Sequence, residues 1–120
     1  MENNLRDISN KIRINILKEV YYAQSGHPGG SLSIADILAV LYFKEMNIDP
    51  LKPKDENRDR FVLSKGHCAP ALYATLAIKG FLKEDELKKF RNINSNLQGH
   101  PDMKKIPGVD MSTVSDRQGK

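Results

Sequence analysis

The chain has 120 residues, with 19 basic and 15 acidic side chains for a net charge of +4, and a single cysteine, Cys68. That length allows one domain at most, and one cysteine excludes an internal disulfide and suits a reducing compartment. The two charge signs alternate, the basic runs Lys88-Lys89 and Lys104-Lys105 carry no interleaved aromatics, no apolar run approaches membrane-spanning length, and Met1 to Arg6 is too polar for a signal peptide. A cytoplasmic protein with neither a nucleic-acid nor a membrane partner is expected.

Leu5, Ile8, Ile12, Ile16 and Val20 recur at three- and four-residue steps, predicting an amphipathic helix over 4–24 capped by Asn3 or Asn4. Ile14, Leu17 and Tyr21 widen its apolar face, so it wants neighbours on two sides, from this chain or from a partner subunit. Gly26 is the expected stop. The loop SGHPGGS, Ser25 to Ser31, follows. Taken alone, its His27 reads as a histidine near a helix carboxyl end, where the dipole favours the imidazolium.

A second helix is predicted over 33–46, with Ser33 and Asp36 as a capping box and Ile34, Ile37, Leu38, Leu41 and Tyr42 on its buried side. The polar stretch 47–60, with Pro50 and Pro53, reads as a surface connection. Phe61, Val62 and Leu63 then suit a short buried strand near 61–64, and a turn carrying His67 leads into a third helix over 69–79. Pro70 fits its first turn, Leu72, Leu76 and Ile78 face inward, and Gly80 ends it. Cys68 at its start reads as a packing residue. A charged helix over 84–90 is anchored by Leu87 and Phe90. The aperiodic stretch 91–110 is long for a loop in a compact domain, and it contains QGHPD, Gln98 to Asp102.

All three histidines follow a glycine, and two of them precede a proline. Glycine permits close backbone approach and proline stiffens the exit, so each imidazole is presented on a fixed loop. A strand-turn-helix unit with His67 at its crest suits an anion such as phosphate at the helix start, although a turn histidine without a ligand is the plainer reading of that unit alone. His27, His67 and His100 lack the short spacings of a zinc site.

SGHPGGS, DRFVLSKGHCAPALYA and QGHPDMKKIPGVDMST, in this order and spacing, resemble the amino-terminal part of transketolases, most closely the short amino-terminal subunit of the split, two-chain form. The resemblance runs from about Leu5 to Thr113. It implies an α/β thiamine diphosphate-binding fold, a parallel sheet flanked by helices, of which this chain is a mostly helical front portion with one strand. It also implies thiamine diphosphate and Mg2+ as cofactors, two-carbon ketol transfer between sugar phosphates as the activity, and a carboxy-terminal transketolase subunit and a homo-oligomer as partners. By the same resemblance, His27 contacts substrate oxygen and assists proton transfer, His67 reaches the diphosphate, and His100 binds donor hydroxyls. An imidazole that donates or accepts near neutral pH suits oxygens gaining and losing charge.

Beyond Thr113 the family pattern TGSLGQG is replaced by TVSDRQG, which puts Val114, Asp116 and Arg117 at glycine, leucine and glycine positions. A β-branched residue resists the conformations glycine allows, so the backbone contacts to cofactor implied at Val114, Ser115 and Asp116 are degenerate. The family's GDG motif and asparagine, which hold magnesium, do not occur within these 120 residues, and its activating glutamate comes from another domain or chain. The expectation is therefore a partial domain, a truncated, frameshifted or deliberate fragment, inactive as an isolated chain and binding cofactor weakly or not at all. The alternative is a non-catalytic helical interaction module that keeps only the packing surface.

Overall fold

In the computed structural model the described residues are 2–24, 28–63, 68–90, 92, 95, 97, 103 and 106–109. The elements are α1 (Glu2–Ala23), α2 (Pro28–Ser33), α3 (Ala35–Val40), a π-helical segment (Leu41–Glu45), α4 (Ala69–Lys79) and a 3-10 helix (Glu84–Lys89). The architecture follows from α4, whose sequence APALYATLAIK is apolar around its whole circumference; such a helix must be enclosed. Every residue from Ala69 to Ala77 is buried, and α1, α2, α3 and the 3-10 helix all pack against it.

Three devices fix α4. Its interior hydroxyl, Thr75 Oγ1, donates back to the Ala71 carbonyl at 2.8 Å. At its carboxyl end Gly80 adopts φ +111°, and the Gly80 and Phe81 amides donate to the Ala77 and Leu76 carbonyls at 3.2 and 2.9 Å. That pair of bonds is a Schellman motif, which needs a left-handed residue, so Gly80 ends the helix as the sequence predicts. Gly108, at φ +94°, then closes on the same corner: a Cβ there would lie 2.9 Å from Leu76 Cδ2 and from Phe81 Cγ. Leu72 and Leu76 are buried and Ile78 is half-buried.

Helix α1 lays Ile12 and Ile16 fully into the core, with Ile8 packed against it. The helix begins at Glu2, so Asn3 and Asn4 lie within it and are not its cap. It stops at Ala23, before Gly26, because Gln24 takes the left-handed conformation (φ 56°) and donates its amide to the Val20 carbonyl at 2.9 Å. Gly26 itself lies outside the described residues. The widening residues Ile14, Leu17 and Tyr21 are 53, 50 and 69% exposed, so among the described residues that side of the helix is not covered.

The predicted helix over 33–46 differs most. Helical structure starts at Pro28, where the fixed φ and missing donor of proline suit a first turn, and breaks at Ile34 (φ −107°). Ser33 is inside α2 and donates its hydroxyl to the Gly30 carbonyl at 2.7 Å, so it forms no capping box with Asp36. After the break, Ala35, Leu38, Ala39 and Tyr42 hold the buried stripe at three- and four-residue steps. Ile37 is left off that stripe and is 58% exposed, against expectation. The Met46 amide reaches the Leu41 carbonyl at 2.8 Å, five residues back, which widens the last turn into π geometry.

The 47–60 connection is surface structure as expected, closed by Asn47 and Asp59: the Asn47 amide donates to Asp59 Oδ2 at 2.6 Å and the Asp59 amide to the Asn47 carbonyl at 2.9 Å. Phe61–Leu63 are in no strand, which corrects the strand expected near 61–64; Ser64 lies outside the described residues. A strand exists only as one side of a hydrogen-bonded ladder, and the described residues contain no second strand to pair with. The apolar run is used instead for packing, with Leu63 buried and the Phe61 ring edge-on to Tyr42 at 5.8 Å. The last predicted helix is a 3-10 helix, anchored as expected by buried Leu87 and Phe90. Among the described residues no helix is long and apolar enough to cross a membrane.

Candidate cofactor-binding site

The residues assigned by resemblance, His27, His67, His100, Val114, Ser115 and Asp116, all lie outside the described residues. The segments that leave the His27 and His67 motifs are described, as are residues 106–109 beyond the His100 motif, and they pack around α4. The chain after His27 enters α2 at Pro28, and that after His67 enters α4 at Ala69. Those two helices pack together, and the Ala71 amide donates to Ser31 Oγ at 3.3 Å in a fully buried contact between residues forty positions apart.

This bond answers a need of α4. The first amides of a helix have no intrahelical acceptor. Cys68 precedes the helix and makes no side-chain cap, and Pro70 has no N–H to satisfy. The orphan amide of Ala71 is therefore capped from a different helix, by the last residue of the SGHPGGS motif. Cys68 itself is fully buried, consistent with packing. On the other side of the third motif, Leu97 lies three residues before His100 and Ile106 six after it; both are buried, as is Val109. Gly108 seats this segment on the carboxyl end of α4.

The electrostatics at the head of α4 suit an anion. Its first turn contains no acidic residue, as is also true of α2, so no carboxylate within those turns offsets the partial positive charge of the helix start. Among the described residues no cluster of histidine, cysteine or carboxylate side chains is arranged to hold a metal.

Two perturbed carboxyls sit on or against α1. Asp36 on α3 accepts a hydrogen bond from the Ser9 hydroxyl and an ion pair from Arg13 Nη2 at 3.0 Å, while Arg13 Nη1 also donates to Ser9 Oγ at 2.7 Å. The Ser9 hydrogen bond first, then Arg13, holds Asp36 below the usual carboxylate range. Glu19 is the opposite case: its side chain is fully buried, neither oxygen has a hydrogen-bond partner among the described residues, and burial pushes its carboxyl well above its ordinary value of 4.5. Sequence reasoning singled out neither Glu19 nor Ser31. The signal for Glu19 was its place on the Ile12, Ile16 stripe, where a glutamate breaks the apolar register. No local signal marks Ser31, because its donor is distant in sequence.

A family model described as the transketolase thiamine diphosphate binding domain matches residues 5–119, which carries the likeness past Thr113 and through the altered TVSDRQG stretch. Mouse transketolase is 47% identical over 115 residues, covering 96% of this chain and 18% of the relative. The 6-deoxy-6-sulfo-D-fructose transketolase subunit SqwG of Clostridium sp. strain MSTE9 is also 47% identical, covering 96% of this chain and 42% of the relative. The solved transketolase of Leishmania mexicana superposes with a TM-score of 0.87 at 37% identity, over 92% of this chain and 17% of that one. The chain thus spans less than half the length of these relatives, and its helices superpose on their thiamine diphosphate-binding fold. On this shared sequence and shared architecture, the chain belongs to the transketolase family, in the region of its thiamine diphosphate binding domain.

Proposed function

We propose that this chain supplies the front part of a transketolase site, contributing to thiamine diphosphate-dependent transfer of a two-carbon ketol unit between sugar phosphates. The observation that carries the reading is the Ser31–Ala71 contact, by which the helix leaving the His27 motif caps the helix leaving the His67 motif. Buried Leu97 and Ile106 on either side of the third motif support it.

In this reading His67, just ahead of the acid-free amide end of α4, holds the diphosphate by charge-assisted hydrogen bonding. His27 contacts the substrate carbonyl or hydroxyl oxygen and gives or takes its proton, and His100 orients the donor sugar through its hydroxyls. Thiamine diphosphate, when bound, supplies the carbon centre that carries the ketol unit. Val114, Ser115 and Asp116 retain at most backbone contacts to the cofactor. The magnesium ligands and the activating glutamate come from outside these 120 residues, so the chain alone binds cofactor weakly and does not turn over. The partner is a second transketolase polypeptide segment within an oligomer, in line with the subunit naming of the Clostridium relative, and the setting is cytoplasmic sugar phosphate metabolism.

A titration of the chain with thiamine diphosphate, followed by heat flow with and without Mg2+, tests this. Weak, saturable heat that is lost in His67→Ala supports the proposal; no heat at millimolar cofactor, or heat indifferent to His67, defeats it. The non-catalytic interaction module is favoured by a different observation, the exposed apolar face of α1. Ile14, Leu17, Lys18, Tyr21, Tyr22 and Lys88 line an open groove of about 450 Å³ there. Under that reading the chain associates with a partner and gives no cofactor heat.

A further inference from the structure

We infer that the side of α1 turned away from the core is a docking surface for an amphipathic helix of a partner polypeptide, one whose apolar stripe is edged by carboxylates. The inference goes beyond the cofactor reading and stands with or without it. Successive residues of a helix are about 100° apart, so with Ile12 and Ile16 buried in the core, Ile14, Leu17 and Tyr21 share the opposite side at three- and four-residue steps. All three are half or more exposed, and with the half-exposed Tyr22 they line the open groove between α1 and the 3-10 helix. Single apolar side chains are ordinary on a surface, but a second stripe opposite the first marks a helix built to sit between two layers.

The charges around the groove select its occupant. Lys18 from α1 and Lys88 from the 3-10 helix are the charged residues that line it, and both are exposed and without an ion pair among the described residues. The Lys88 ammonium lies 5.6 Å from the centre of the Tyr22 ring, a cation–π contact that holds it at the rim. The adjoining cleft along α1 sets Lys11 and Lys18 against one carboxylate, Glu84, so this edge is net positive. An apolar floor with a lysine rim complements a stripe of leucine-like side chains flanked by glutamate or aspartate: the floor supplies burial, and the rim fixes orientation and register. The spacing of Ile14, Leu17 and Tyr21 makes a ridge, and the valley beside a ridge is where a second helix packs. A second copy of this chain fits worse. A two-fold contact sets the patch against itself and brings lysine edge to lysine edge, in a chain whose net charge is already +4.

The test uses the full chain and two labelled synthetic helical peptides of about 20 residues, long enough to hold a helix, with one leucine stripe and edges of glutamate in the first and lysine in the second. Binding is read by fluorescence anisotropy without cofactor. The glutamate-edged peptide is expected to bind saturably and more weakly as salt rises, and the lysine-edged peptide to bind about tenfold less tightly or worse. Leu17→Glu, at a half-exposed position, is expected to abolish binding, and the double variant Lys18→Glu, Lys88→Glu to reverse the preference between the peptides. If Leu17→Glu does not fold, Tyr21→Ser, at a more exposed position, is read against the same outcomes. The inference is overturned if neither peptide binds, if both bind equally, if binding survives Leu17→Glu, or if the charge reversal leaves the preference unchanged. It is also overturned if sedimentation shows a dimer that Leu17→Glu disperses, which makes a second copy the occupant. Because no cofactor is present, a negative result here leaves the cofactor titration standing, and failure of that titration leaves this result standing.

Discussion

Glu19→Leu tests the packing of this chain most sharply, because Glu19 is the one strongly unfavourable group visible among the described residues. Its carboxyl is fully buried and has no hydrogen-bond partner there. Leaving a buried polar group unsatisfied costs about 1–3 kcal/mol, and more when it is charged. Leucine has a similar volume and removes that cost while adding apolar burial, so the variant is expected to be more stable at pH 7 by about 2 kcal/mol or more. For a domain of this size that raises the melting temperature by roughly 8 °C, at about 4 °C per kcal/mol.

The pH dependence gives the prediction a second arm. Burial raises the folded pKa of Glu19 above its unfolded value of about 4.3, so the native state binds the proton more tightly than the unfolded state does. The resulting stability is fully present below the unfolded value and is lost as pH rises through the raised folded value. Urea unfolding followed by circular dichroism from pH 4 to 8 should show this decline in the parent chain and its absence in Glu19→Leu. A parent chain equally stable across that range, or a leucine variant less stable at pH 7, would refute the reasoning.

Gly108→Ala combines a left-handed backbone with a Cβ 2.9 Å from Leu76 and Phe81, and is expected to cost about 2–4 kcal/mol in urea unfolding; a loss below about 0.5 kcal/mol contradicts the described corner. Gln24→Gly relieves a left-handed non-glycine residue at the end of α1 and should stabilise by about 0.5–1 kcal/mol, read as a rise in melting temperature. Asp36→Asn loosens the Ser9 and Arg13 contacts on an exposed surface, so it should cost less than about 1 kcal/mol at low salt and almost nothing at high salt. The Asp36 pKa is lowered on folding, so its contribution is present above the unfolded value of about 3.9 and is lost as pH falls through the folded one, opposite in sign to Glu19.

What the sequence made legible was set by local rules. The Ile12, Ile16 face of α1 and the limits of α4 follow from periodicity, from Pro70 in a first turn and from Gly80 at a left-handed stop, all of which act within a few residues. The misread parts depend on contacts from elsewhere. Ser33 resembles a cap in sequence, but helical structure starts five residues earlier at Pro28, and the break at Ile34 turns Ile37 outward. Phe61–Leu63 has strand composition, yet its rank as a strand depends on a ladder partner that the described residues do not contain. Among the proposed site residues, the glycine-flanked histidines were conspicuous because their pattern is written in adjacent residues. The Ser31 contact was not, since nothing near Ser31 indicates an amide forty positions away.

The central claim is that His27, His67 and His100 serve one bound coenzyme, and the most direct measurement is an NMR titration of all three imidazoles with thiamine diphosphate and Mg2+. The account predicts that the three signals move together with a common midpoint, even if that midpoint is weak. Signals that move with different midpoints, or that do not move at all, would contradict it.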